Sequence, residues 1–208
     1  MIAYQGVLSA AMPLVWRYFR RRGRGDPEYL EHWDERRGQG EAFDADIWVH
    51  AVSLGEFRSA QPLIALLLGA GKKLVLTHAT PAGRRASELA LSDEIKAGVV
   101  RVEYAPIDKV SYWQAFFRRH RPRLGLVMEM EFWPGMMETA RDQDVSLWLT
   151  NSQVPGKNLL RALRAKTILG AHPVSRATGV FAKSDRMADR FRQLGARDIH
   201  SVGETRFD

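Results

Sequence analysis

From residue 46 onward, short apolar, β-branched runs alternate with amphipathic stretches, and this alternation leaves the chain little choice of fold. The runs fall at 46–52 (DIWVHAV), 73–79 (KLVLTHA), 99–105 (VVRVEYA), 123–130 (RLGLVMEM), 145–150 (VSLWLT), 179–183 (GVFAK) and 198–203 (DIHSVG). Between them lie helix-like stretches at about 57–70, 82–91, 108–120, 135–143, 157–170 and 184–195. Strand, helix, strand in strict succession predicts βαβ units and a parallel sheet covered on both faces. Apolar residues make up 45% of the 208-residue chain, enough for such a double core. Helix starts are marked by Pro81, by Asp108 as a cap for the third stretch, and by Ser184-Asp185 for the last. The expectation is an α/β, doubly wound, Rossmann-like domain over 46–208.

The N-terminus follows a different pattern. Residues 1–16 are mostly apolar, but Gln5, Ser9 and Pro13 interrupt a run already shorter than the roughly 20 residues a spanning helix needs. Arginines follow at once (Arg17, Arg20, Arg21, Arg22 and Arg24), the reverse of a signal peptide's order. An apolar helix leading into arginines reads as an interfacial anchor over 1–22, with Arg17, Arg20, Arg21 and Arg22 meeting lipid phosphates. The competing reading is a helix packed on its own or a partner domain. Residues 23–45, rich in Gly, Asp, Pro and charge, read as a solvated linker with one short helix at most.

The net charge of +7 favours polyanions, but no aromatic-studded nucleic-acid motif accompanies the arginines, so nucleic acid is not expected as a partner. The absence of cysteine excludes disulfides and thiolate metal sites. Neither a G-x-G-x-x-G nor a P-loop nor an H-E-x-x-H is present, and no G-x-S-x-G surrounds Ser53; no cofactor and no metal are expected.

Ligands of doubly wound sheets bind beyond the carboxyl ends of the strands. Four polar clusters stand there: Ser53-Leu54-Gly55-Glu56, then Thr77, His78 and Thr80-Pro81 with Gly83, then Glu129 to Pro134, then Asn151-Ser152-Gln153. Glu56 opens a helix, where free amides favour a charged carboxylate; this makes it either a simple helix-start residue or a group held ionised for chemistry. Glu129 and Glu131, two apart at the end of an apolar strand, should share one face and need a cation, hydroxyl or amide between them. Trp133 reads as packing beside Pro134 at the next helix start. His50 and His78 read as hydrogen-bonded structural residues.

Three of these segments, His50-Ala51-Val52-Ser53-Leu54-Gly55-Glu56, Thr77-His78-Ala79-Thr80-Pro81-Ala82-Gly83 and Met128-Glu129-Met130-Glu131-Phe132-Trp133-Pro134, together resemble the 3-deoxy-D-manno-octulosonic acid (Kdo) transferase family, with Gly203-Glu204-Thr205-Arg206-Phe207-Asp208 similar to that family's junction with a second domain. The resemblance implies the N-terminal half of a GT-B glycosyltransferase that moves Kdo from CMP-Kdo to a lipid A precursor in lipopolysaccharide biosynthesis. It further implies a separate C-terminal donor domain and a place on the cytoplasmic face of the bacterial inner membrane. It carries over Glu56 as catalytic base and Glu131, with its companion Glu129, as acceptor-binding; Ser53, Gly55, Thr80 and Asn151 complete the expected acceptor site. Gln153, where the resemblance calls for arginine, and Glu204, where it calls for asparagine, depart from the pattern and put the usual acceptor in question. A non-catalytic lipid- or membrane-binding module on the same scaffold is the alternative.

Overall fold

The computed structural model describes residues 1–203, with the side chains at 157, 165 and 167–169 left out; Glu204 and the rest of the junction-like tail lie outside the described residues. A seven-stranded parallel sheet runs through the chain: β1 (Ile47–His50), β2 (Leu74–His78), β3 (Val100–Tyr104), β4 (Leu124–Met128), β5 (Ser146–Ser152), β6 (Gly179–Ala182) and β7 (Ile199–Ser201). The strand order is β3-β2-β1-β4-β5-β6-β7, so the chain winds outward in one direction, returns to the middle, and winds outward in the other. Every pairing is parallel.

Helices α3 (Leu54–Gly69), α4 (Pro81–Ala90), α6 (Val110–His120), α7 (Pro134–Asp142), α8 (Gly156–Leu169) and α9 (Asp185–Leu194) fill the intervals that the periodicity assigns to them, and a short further helix, α5 (Ser92–Lys96), lies between α4 and β3. Side-chain alternation divides the core in two. Trp48, Val75 and Val127 enter one layer with Trp113, Phe116, Phe117 and Phe191. Ile47, Val49, Leu74 and Leu76 enter the other with Phe57, Ile64 and Leu91. Strands β1 and β2 are buried at every position, which is why they read as unbroken apolar runs.

Three sequence expectations change here. Asp108 does not cap α6, which starts after Lys109 without a side-chain cap. Its carboxylate accepts instead from the backbone amides of Gly135 (2.9 Å) and Met136 (2.7 Å), capping α7 through space, and from Trp113 Nε1 (3.1 Å) and the Tyr4 hydroxyl (2.8 Å). Glycine at 135 permits this approach, since a Cβ there would lie 2.5 Å from the Asp108 carbonyl oxygen. The pair Glu129 and Glu131 does not share a strand face: β4 ends at Met128, and Glu129 turns into the left-handed region at φ 57°.

The third change concerns residues 23–45. This segment carries two short 3-10 turns (Pro27–Leu30 and Glu35–Arg37) and buries Tyr29 and Arg36 where a solvated linker was expected. The β3 edge explains it, because an exposed parallel edge leaves backbone donors unpaired. The Glu35 carboxylate accepts from the Tyr104 amide (2.8 Å) and pairs with Arg84, while Arg36 stacks between Tyr104 (3.8 Å) and Phe19 (4.5 Å). Burial lowers the Arg36 pKa to about 10, with neighbouring Tyr104 and Glu35 opposing the shift.

The N-terminal segment is two helices, α1 (Ile2–Ala10) and α2 (Met12–Gly23), broken before Pro13. Gln5 exchanges hydrogen bonds with the Asp108 carbonyl and the Val110 amide, and Trp16 stacks on Trp33 at 4.1 Å. No described helix is long and apolar enough to cross a membrane.

Asp108 thus joins α1, α6 and α7 through one carboxylate. Asp108→Ala leaves these donors without their acceptor and should cost about 3 kcal/mol of stability in urea unfolding. Tyr4→Phe, which removes only the α1 tether, should cost about 1 kcal/mol or less.

Candidate functional site

The carboxyl ends of β2, β1, β4 and β5 are neighbours in the sheet, so the four polar clusters that follow them stand on one rim. Winding reverses between β1 and β4, paired from Ile47↔Leu124 to His50↔Val127. At such a switch point the loops leaving the two strands diverge to opposite faces and open a crevice. Glu56 lies just after β1, and Glu129 and Glu131 lie just after β4. The crevice is therefore lined by carboxylates from both sides.

Glu56 is built into the start of α3. The Ser53 hydroxyl accepts from the Glu56 amide (3.4 Å), and Glu56 Oε2 accepts from the Val52 amide (2.6 Å), a reciprocal arrangement close to a capping box. The helix-start role is thus real, but it does not keep the group simply ionised, as the sequence suggested. Burial first, and then the charge of Glu131, push its pKa up to about 7; the Val52 amide and the more distant Glu129 contribute less, in opposite senses. Burial, reinforced by the carboxylate of Glu131 across the crevice, outweighs the helix terminus.

Glu131 is also raised, by burial, against the hydrogen bond it accepts from Trp133 Nε1. Trp133 packs edge-on against His50 at 4.9 Å and against Trp113 at 6.1 Å, so its ring anchors the loop that carries Glu131. Glu129 lies 3.6 Å from Lys183 Nζ, at the carboxyl end of β6. Lys183 was passed over in the sequence; its position as the last residue of the run GVFAK was the available signal.

The remaining expected residues are mostly architectural. Thr80 caps α4, accepting from the Gly83 amide and donating to the Val52 carbonyl, both at 3.3 Å. Gly83 lets the starts of α3 and α4 approach: a Cβ there would lie 3.2 Å from the Ser53 carbonyl carbon. Gly55 is different, since a Cβ would meet nothing nearer than Ser53 Oγ at 3.9 Å, which leaves open space before Glu56. Asn151 is buried at φ 49°, at a bulge where β5 shifts register against β6, and the neighbouring Ser152 hydroxyl donates to the Glu129 carbonyl. Arg17, Arg20 and Arg21 line a groove on α2 with Arg24, Pro13 and Trp16. Arg22 turns back, donating to the Tyr29 hydroxyl at 2.6 Å.

His50 and His78 have structural roles. Trp48 Nε1 donates to Thr77 Oγ1, leaving that hydroxyl's own proton for His50 Nδ1, both at 2.8 Å. His78 Nδ1 donates to the Ala51 carbonyl (2.6 Å), and its Nε2 accepts from Ser87. Burial holds them neutral, with pKa values lowered to about 3 and about 4.

Fold and rim define a doubly wound, Rossmann-like α/β domain with an acidic crevice at its switch point. Residues 31–208 match the family model of the 3-deoxy-D-manno-octulosonic-acid transferases (kdotransferases). The chain belongs to that family. The 3-deoxy-D-manno-octulosonic acid transferase of Bordetella pertussis is 34% identical to it, over 99% of this chain and 49% of that protein. The Rickettsia prowazekii transferase is 26% identical over 77% of this chain and 34% of that one. A probable mitochondrial transferase of Arabidopsis thaliana is 28% identical over 76% and 35%. The chain thus spans about half, or less, of the length of these relatives.

The raised Glu56 pKa has a stability consequence. A carboxyl group whose pKa rises on folding, here from 4.5 to about 7, binds protons more tightly in the folded state. Stability then falls as pH climbs from the unfolded value through the folded one. Glu56→Gln removes that penalty. The variant should match the parent below pH 4.5 and exceed it above pH 7. Allowing for partial solvent exposure, the gain is about 2 kcal/mol, or roughly 4–8 °C in Tm. Thermal melts across that pH range check it.

Proposed function

We propose that this chain is the acceptor-binding half of a GT-B glycosyltransferase that transfers Kdo from CMP-Kdo to a lipid A precursor, with Glu56 as the general base. The observation that carries the reading is the near-neutral Glu56 carboxyl at the switch-point crevice, with open space before it at Gly55. A base works best when its pKa lies near the working pH. Glu56 takes the proton of the acceptor hydroxyl as that oxygen attacks the anomeric carbon of Kdo. The new C–O bond forms as the bond from that carbon to the CMP phosphate breaks, and CMP departs with the electron pair. Glu131, held by Trp133, hydrogen-bonds the acceptor and keeps the Glu56 pKa high; Glu129 is balanced by Lys183. The donor is held by a second domain of the complete enzyme.

In that enzyme, Glu56→Gln should lower kcat by about 10²–10⁴ with little change in acceptor affinity. The parent's kcat/KM should rise with pH through a midpoint near 7, and Glu56→Gln should lose that rise. Glu131→Gln removes a neighbouring negative charge, so it should move that midpoint to lower pH and raise the acceptor KM. Near-normal turnover of Glu56→Gln would reduce Glu56 to a helix cap and return the search for the base to Glu129 and Glu131.

Peripheral attachment to the cytoplasmic face of the inner membrane belongs to the same proposal. It is supported by exposed Ile2 (92%), Val7 (70%) and Leu14 (68%) beside the arginine groove of α2. Vesicles containing anionic lipid should retain the protein at low salt and release it at high salt. Each arginine at the surface contributes about 1 kcal/mol. Equal sedimentation with neutral vesicles would remove the arginines from the account, and the non-catalytic lipid-binding alternative stands only if the complete protein binds lipid but transfers no sugar.

A further inference from the structure

The loop after β4 presents two kinds of side chain in alternation. Glu129 and Glu131 face the crevice, where their charges act on Glu56. Met130 and Phe132, interleaved with them, line a separate cavity of about 350 Å³, whose other walls are Val154, Pro155, Ala162, Asn158, Arg161 and His172. That volume lies in the range of small-ligand sites. Its floor is fixed, since Phe132 packs edge-on against His172 at 5.6 Å and Phe191 at 5.9 Å. His172 accepts from the Val174 amide through Nδ1 and is held below the ordinary histidine pKa by burial first and then by Lys166. Met130, Phe132, Val154, Pro155 and Ala162 give the cavity a mostly apolar lining, to which Asn158 and His172 add polar groups and Arg161 a positive charge. Met130 is itself 36% exposed, so the apolar lining reaches the surface.

We infer that this cavity is the subsite for an acyl chain of the acceptor lipid, with Arg161 beside it for an anionic group of the same molecule. A ligand with a hydroxyl at Glu56 and a hydrocarbon chain next to it matches the alternation in this loop: carboxylates on one side, Met130 and Phe132 on the other. The inference rests on the acceptor-binding reading above and adds to it which part of the lipid is selected, and by which residues. Burying hydrocarbon here should tighten binding about fourfold per methylene, until the cavity is full.

The test has two arms. In the first, dansyl-undecanoic acid is titrated into this chain. It should bind with enhanced, blue-shifted emission and be displaced by dodecanoate but not by butyrate. Ala162→Trp, which fills the cavity, and Met130→Ser, at a position exposed enough to leave the fold intact, should each weaken the probe at least severalfold. Arg161→Ala should weaken dodecanoate as a competitor while leaving dodecanol unchanged. Glu56→Gln should have no effect. In the second arm, the complete transferase is given acylated and deacylated lipid A precursor in detergent. The parent should show a much lower KM for the acylated acceptor, and Ala162→Trp should erase the difference with kcat preserved. Probe binding unaffected by both Ala162→Trp and Met130→Ser, or equal KM values for the two acceptors, overturns the acyl subsite. Probe binding that behaves as expected in an enzyme that transfers to neither acceptor upholds the subsite and overturns the transferase reading instead.

Discussion

The pairing of β1 with β4 is the contact on which the rest of the site depends. Those strands are distant in sequence, and their register from Ile47↔Leu124 to His50↔Val127 puts the winding reversal at the centre of the sheet. The two loops that leave them diverge, and in the crevice between them carboxylates from segments distant in sequence face each other. Trp48 secures this pairing from below. Its indole lies against Trp113, Phe116 and Phe117 with ring centroids 5.2 to 5.7 Å apart, and Gly125 on β4 is a glycine because a Cβ would reach within 2.7 Å of that indole.

Bringing three glutamates to that crevice costs stability, and the surrounding structure supplies the compensation. Glu129 and Asn151 both hold left-handed backbone conformations, at φ 57° and φ 49°, which disfavour residues with a side chain. They sit in adjacent segments, after β4 and in β5, linked by the hydrogen bond from Ser152 to the Glu129 carbonyl. Lys183 offsets the charge of Glu129, and Trp133 fixes Glu131 by a hydrogen bond and by packing on a neutral His50. Glu56 is buried beside the charge of Glu131, with no cation partner among the described residues, and burial first raises its pKa. The arrangement leaves unrelieved the one group that a proton-abstracting role would use.

The N-terminal helices are tied to the same framework. Asp108 links α1 to the start of α7, whose preceding loop carries Glu131, and Glu35 with Arg36 closes the β3 edge while holding α2 through Phe19. The arginine groove of α2 and the carboxylate crevice are thereby parts of one packed unit.

What the sequence determined by itself is considerable. Burial on both faces makes the central strands continuous apolar runs, so their positions, the parallel class and most helix intervals were legible, as was the cap at Ser184, because capping is local chemistry. The motifs around Glu56 and Glu131 also carried the family. Strand order was not legible, since hydrophobic pattern says which residues are buried but not which strands are neighbours. Without it, the convergence of Glu56 with Glu131, and hence the near-neutral pKa, had no visible cause, and the helix terminus alone suggested the opposite. Asp108 was assigned to the nearest helix because sequence shows only near neighbours; its partners at 4, 135 and 136 are distant in the chain and are brought to it by the tertiary structure. The same holds for Lys183 beside Glu129 and for the fold of residues 23–45 over the β3 edge. Charge and polarity mark a segment as able to face water, but whether it does so depends on which unpaired backbone the tertiary structure leaves beside it.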